Sequence, residues 1–227
     1  REALVRPDLI SLAAGFTDNP SLPVAETRAI MADMLRTRKT GQPPLQYGTT
    51  AGDETLRALT ARRLAQLDGQ SPKAKAYSPS RMMITHGSQQ FLYILTEILF
   101  DTGDIVLVED PSYFVYLGIM QSHGIRGRGI RMEADGIDLA HLDATLESLK
   151  KSGELPRLKA LYLVSYHSNP TGTTTTAAKK AAALKLLRRY EAAAGHPIYL
   201  LEDAAYRELR FAGEDIPGAL TMNPAGD

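Results

Sequence analysis

No cysteine occurs among the 227 residues, so disulfides, zinc ribbons, iron–sulfur clusters and thiol nucleophiles are excluded for this sequence. Neither sign of charge is in surplus: Lys+Arg and Asp+Glu each number 26, for a formal net charge of zero. Proteins that grip phosphate backbones normally carry a basic excess, so nucleic acid is not an expected partner. Zero net charge also gives little colloidal repulsion, which suits a surface partly buried in an oligomer. No apolar run approaches the roughly eighteen residues of a membrane span. The longest, near 91–100 and 105–108, are broken by Thr, Glu and Asp. Sustained charge blocks and Pro/Gly/Ser tracts are lacking too, so a folded chain is expected. No basic segment followed by an apolar run marks the start, so no signal peptide is expected. A cysteine-free chain suits a reducing cytoplasm. The first residue is Arg1 rather than Met, so at least one residue upstream is expected.

What is present is a globular composition, 44% hydrophobic and 23% charged. Periodicity predicts helices at 24–38, 53–67, 89–100, 113–123, 139–150 and 176–194, and strands at 81–85, 105–109, 126–131, 158–164 and 198–202. Short apolar strands alternating with helices predict an α/β fold with a mostly parallel sheet flanked by helices. Ligands gather at the carboxyl ends of such strands. Four polar clusters fall at that edge: Gly87-Ser88-Gln89-Gln90, Asp110-Pro111-Ser112-Tyr113, Asn169-Pro170-Thr171-Gly172 and Asp203-Ala204-Ala205-Tyr206.

Each cluster has a chemical reading and a plain one. Ser88 and Gln89 open a helix, where free N–H groups and the positive dipole end favour a phosphate; Ser88 is equally suited to cap that helix. Asp203 ends an apolar strand, where a carboxylate would keep a ligand's ring nitrogen protonated; an Asx turn or an N-cap is the alternative. Asn169, fixed by Pro170 and Gly172, aims an amide at a ligand oxygen or simply makes a turn. Tyr113 offers a flat face for stacking or fills a core, and Tyr206 reaches the same ligand as Asp203 or packs. Tyr47 lies in a loop before a helix, where a capping contact is its alternative.

Taken together, Thr85-His86-Gly87-Ser88-Gln89-Gln90, Glu109-Asp110-Pro111-Ser112-Tyr113, the Asn169 and Asp203 clusters and Gln46-Tyr47-Gly48 resemble one family. It is the fold type I pyridoxal-phosphate enzymes, specifically the class I/II aminotransferases. The first two strings look most like the branch holding aminoadipate/kynurenine-type aminotransferases and the aminotransferase-like part of MocR regulators. The resemblance runs over about 10–211, nearly the whole chain.

This likeness implies pyridoxal 5'-phosphate as cofactor and amino-group transfer from an amino acid to a 2-oxo acid. It implies that Ser88 and Gln89 hold the cofactor phosphate and that Tyr113 stacks on the pyridine ring. Asn169 and Tyr206 would bind the phenolic oxygen, and Asp203 the pyridinium nitrogen. Tyr47 would reach the partner's phosphate in a homodimer. The segment Ser11-Leu12-Ala13-Ala14-Gly15 would cover the substrate, with Gly15 and Asn169 as substrate-binding residues. Residues 1–40 would belong to a small domain, and 41–227 to the first part of the large, cofactor-binding domain.

One element of the pattern is missing. The family's Schiff-base lysine follows the aspartate by a few dozen residues, yet no lysine follows Asp203. Lys179, Lys180 and Lys185 sit on an Ala-rich helix and read as a solvated face. No catalytic residue is therefore expected within this sequence, and the working protein is expected to continue past Asp227. Two other readings stay open: a β-lyase or synthase with the same cofactor, and the effector domain of a MocR-type regulator. Neither G-x-G-x-x-G nor H-E-x-x-H occurs, which argues against a Rossmann nucleotide binder, and no metal is expected.

Overall fold

A computed structural model describes Arg6 and residues 17–222. The chain forms two compact units, Arg1–Thr49 and Thr50–Asp227. The first holds α1 (Val24–Met34) and α2 (Arg38–Leu45). The sequence predicts a single helix over 24–38 with a stop before Gly41; the helix instead breaks after Met34 and restarts. The restart comes from a reciprocal cap, in which Thr37 Oγ1 accepts from Thr40 N and Thr40 Oγ1 accepts from Thr37 N. Pro43 and Pro44 lie inside α2 and cannot donate, which keeps it to eight residues.

The second unit contains α3 (Glu54–Leu67), α4 (Ser88–Leu99), β1 (Ile105–Asp110), α5 (Phe114–Ser122), β2 (Arg126–Glu133), β3 (Gly136–Ile137), α6 (Leu139–Lys151), β4 (Leu158–Val164), α7 (Ala177–Ala194) and β5 (Tyr199–Asp203). The strands lie in the order β3-β2-β1-β4-β5. All pairings are parallel except β2 with β3. Several helix starts carry the cap that their sequence foretells: Asp53 accepts from Leu56 N, Asp138 from His141 N and Thr176 from Lys179 N.

Strand alternation sends side chains to two cores. Ile105, Leu107, Leu161 and Leu163 meet Leu142 and Leu146 of α6 and Leu187 of α7 on one face. Val106, Val108, Ala160, Tyr162 and Val164 meet Leu92 of α4 and Tyr116 and Met120 of α5 on the other. Both faces of the central strands are thus buried, as a parallel sheet requires.

The strand predicted at 81–85 does not form. Pro79–Arg81 is a 3₁₀ turn, and 82–85 run outside any ladder, anchored where Ile84 N donates to Ala51 O at 3.0 Å. Apolar residues favour an extended chain, but a strand also needs a neighbour, and 82–85 have none among the described residues. β5 likewise pairs on one edge only, with β4, among the described residues.

Candidate active site

Strand order fixes where a ligand can sit. From β1 the sheet winds outward to β2 on one side and to β4 and β5 on the other. The two windings diverge between β1 and β4, and sheets of this kind take their ligands at that point, outside the carboxyl ends of the strands. Tyr113 follows β1, the loop carrying Asn169 follows β4, and Asp203 is the last residue of β5. Tyr113 and Tyr206 both pack against the apolar cluster that holds Tyr116, Tyr162 and Val164. Gln89 Nε2 donates to the Tyr113 hydroxyl at 2.9 Å, which brings the start of α4 to the same edge.

At that helix start Ser88 is not the cap. Gly87 occupies the cap position, with φ +83° and ψ 166° and no side-chain cap, so Ser88 is the first helical residue. A Cβ built on Gly87 would meet nothing within 4 Å. N–H groups at a helix start without a side-chain cap suit an anion. Gln90 is used locally, its Oε1 accepting from His86 N at 2.7 Å.

Asn169 sits half-buried in a turn that is closed where Gly172 N donates to Ser168 O, with Gly172 at φ +71°. His167, two residues before it, has φ +46°, and its N–H is held by Thr174 Oγ1 at 3.2 Å. The turn is therefore real, and it follows the carboxyl end of β4.

Asp203 uses one oxygen in the local turn and the other in a side-chain contact. Oδ1 accepts from Ala205 N at 3.0 Å, an Asx-type contact. Oδ2 accepts from the Tyr162 hydroxyl at 2.9 Å. Among the described residues no cation pairs with Asp203. Beyond β4, β1 brings a second acid, Glu109, only 1% exposed. Its Oε2 accepts from Val164 N and Ser168 Oγ, each at 3.2 Å, and Oε1 is buried without a partner. Burial above all, with a smaller push from the Asp203 charge, raises its pKa to about 7.

Two further expected participants belong to the first unit. Tyr47 is 99% exposed, its N–H held by Gln46 Oε1. Gly15 lies outside the described residues.

Sequence reasoning also missed a buried polar network on the other side of β5. Lys180 is not on a solvated face: it is fully buried, with Nζ 2.7 Å from Glu202 Oε1, 3.0 Å from the Tyr166 hydroxyl and 3.2 Å from Pro217 O. Burial pushes its pKa down. Lys179 is largely buried as well, paired with Glu133 and Asp135, whereas Lys185 is exposed as expected. The Ala-rich composition gave no hint of this. Glu109 did leave a signal, an acid closing the apolar run Ile105-Val106-Leu107-Val108. Tyr162, inside an apolar strand, left none.

Comparison with known proteins agrees with this layout. The family described as "Aminotransferase class I and II" matches residues 7–225. The 2-aminoadipate transaminase of Thermus thermophilus is 32% identical over 96% of this chain and 48% of its own. A solved structure of α-aminoadipate aminotransferase from the same organism, complexed with N-(5'-phosphopyridoxyl)-L-leucine, superposes with a TM-score of 0.72 at 32% identity, over 94% of this chain and 49% of that one. The multiple substrate aminotransferase of Thermococcus profundus gives a TM-score of 0.79 at 28% identity, over 96% and 50%. The chain thus spans about half the length of the relatives it matches. With the family match running nearly end to end, this chain belongs to the class I and II aminotransferases.

Proposed function

We propose that the protein carrying this chain is a pyridoxal-phosphate-dependent aminotransferase that moves an amino group from an amino acid to a 2-oxo acid. The observation that carries this reading is Asp203. Its carboxylate is half-buried at a strand end and held by two neutral donors, with no protein cation among the described residues. Asp68, Glu202 and Asp215, the acids of the buried network nearby, each have a cation. A charged carboxylate at a strand end with no cation of its own suits a ligand cation. An uncapped helix start and an aromatic ring at the same edge complete a set matched to a phosphate, a flat ring and a ring-nitrogen cation.

In this reading Ser88, Gln89 and the N–H groups behind Gly87 hold the phosphate. Tyr113 stacks on the ring, and Gln89 fixes the Tyr113 hydroxyl. Asn169 and Tyr206 bind the phenolic oxygen, and Asp203 keeps the ring nitrogen protonated. Bound there, the cofactor supplies an electron sink for the substrate Cα. The chain's own residues bind and orient; the lysine that moves the proton is assigned to sequence past Asp227. Residues 1–40, including Gly15, are assigned to the small, substrate-covering domain, and Tyr47 to the partner's phosphate.

A homodimer follows from the same reading, and apolar side chains left exposed on α4 and α5, among them Phe91, Ile98, Phe114 and Leu117, support it. Sedimentation of the full-length protein at the monomer mass would remove the dimer. No helix among the described residues is long and apolar enough to cross a membrane. We place the protein in the cytoplasm, where a cysteine-free chain forgoes nothing.

The test is a half-reaction in the full-length protein. Adding an amino acid converts bound pyridoxal phosphate to pyridoxamine phosphate, read by absorbance, and a lyase releases its product without that conversion. Asp203→Ala abolishes transamination while some cofactor stays bound; near-normal turnover in this variant overturns the reading.

A further inference from the structure

We propose that Tyr162 is a positioning residue for the cofactor: its hydroxyl fixes the Asp203 carboxylate in the orientation that receives a ring-nitrogen cation. The proposal rests on the reading of Asp203 given above. It starts from strand register. Tyr162 pairs with Leu201 and Val164 with Asp203, so Tyr162 and Asp203 are diagonal neighbours across β4 and β5. Their side chains emerge on the same face, the one packed by α4 and α5. A long side chain spans such a diagonal, and here the phenol reaches Oδ2 at 2.9 Å.

The phenol itself has nowhere to go. Tyr162 is fully buried, and its ring lies 4.2 Å, centroid to centroid, from that of Tyr116, which is equally buried. With the ring fixed, only rotation of the O–H is left, and Asp203 is its acceptor. The hydroxyl keeps its proton throughout the physiological range, because burial and then the Asp203 charge push its pKa far upward.

On the receiving side, Ala205 N occupies Oδ1 and Tyr162 occupies Oδ2. A carboxylate has about four acceptor sites, and one donor on each oxygen leaves a site open on each with the group held at two points. Without the hydroxyl, Asp203 keeps a single backbone tether and turns about its Cβ–Cγ bond. A merely structural tyrosine would matter equally to every ligand of the site. A positioning tyrosine matters only to a ligand with a nitrogen for Asp203 to meet.

That difference gives the experiment. Full-length protein stripped of cofactor is titrated with pyridoxal 5'-phosphate and with its 1-deaza analogue, in which a C–H replaces the ring nitrogen. Tyr162→Phe binds pyridoxal phosphate about tenfold more weakly than wild type, the scale of one charge-assisted hydrogen bond, and binds the deaza analogue as wild type does. Asp203→Ala weakens pyridoxal phosphate binding, and adding Tyr162→Phe to it changes nothing further. Equal weakening towards both ligands overturns the proposal, as does an unchanged Tyr162→Phe beside a weakened Asp203→Ala. If Asp203→Ala binds pyridoxal phosphate as wild type does, the reading of Asp203 is what fails. Replacement of Tyr162 by 4-fluorophenylalanine, which keeps the buried ring and its reach but has no hydroxyl to donate, carries the same expectations should Tyr162→Phe not accumulate as folded protein.

Discussion

Arg207 and Asp68 are separated by 139 residues in sequence, yet Nη1 lies 2.6 Å from Oδ1 with both side chains buried. Arg207 also donates to Leu67 O and to both oxygens of Asp215. Asp68 accepts in addition from the Tyr77 hydroxyl and from Gly218 N. This network ties the end of α3 to the residue that follows Tyr206, immediately beyond the proposed cofactor carboxylate. Arg207→Ala leaves Asp68 buried without a cation and is expected to cost about 3–5 kcal/mol, the usual result of breaking such a pair from one side. Arg207→Lys recovers little, because one ammonium cannot reach Asp68, Leu67 O and Asp215 together. Urea unfolding of the three proteins measures this, and a loss below about 1 kcal/mol for Arg207→Ala would show that the network contributes little.

The sequence tells much of this fold and little of this network, for a physical reason. Leu142, Leu146 and Leu149 repeat at helical spacing, and Ile105–Val108 alternate between two cores, so α6 and β1 are legible from local pattern. Asp203, Tyr113 and Asn169 stand out because polar residues at strand ends are conspicuous. The strand expected at 81–85 fails because pairing depends on a partner that no local pattern specifies. Lys180 is misread because its burial depends on Glu202 and Tyr166, which other segments supply. Tyr162 is invisible for the same reason: only register places its hydroxyl on Asp203.

Glu109 makes stability depend on pH in a stated direction. In the unfolded chain it titrates near 4.5, and in the folded protein near 7. The folded state therefore holds the extra proton between those values, and stability is lost as pH rises through this window. Each pH unit is worth about 1.4 kcal/mol, so the loss comes to a few kcal/mol. Glu109→Gln stays neutral and still offers an oxygen to Val164 N and Ser168 Oγ. The cofactor-free variant is expected to match wild type near pH 5 and to exceed it in thermal midpoint at pH 8. Parallel pH profiles for the two proteins would rule this out.

Gly52 is required by its surroundings as well as by its backbone. Its φ is +92°, and a Cβ there would lie 2.6 Å from Ile84 Cβ. The adjacent Ala51 carbonyl holds Ile84 N. Gly52→Ala combines overpacking with backbone strain and is expected to cost about 2–4 kcal/mol. Gly48→Ala, where a Cβ would meet nothing within 4 Å and φ is not positive, serves as the control and is expected to be nearly neutral. Chemical denaturation of both variants decides the point.

Gly87 separates the anion site from general stability. Its φ of +83° with ψ 166° falls where only glycine is at ease, although a Cβ would meet no atom. Gly87→Ala is therefore expected to relax the turn, shifting the N–H groups of Ser88 and Gln89 without disturbing the core. A phosphate held by those groups loses contacts that a phosphate-free ligand never made. The full-length variant is accordingly expected to bind pyridoxal 5'-phosphate at least about tenfold more weakly, the scale of one lost charge-assisted hydrogen bond, and to bind pyridoxal as wild type does. If both ligands weaken alike, the start of α4 is not where the phosphate sits, and Ser88 and Gln89 lose their assigned role.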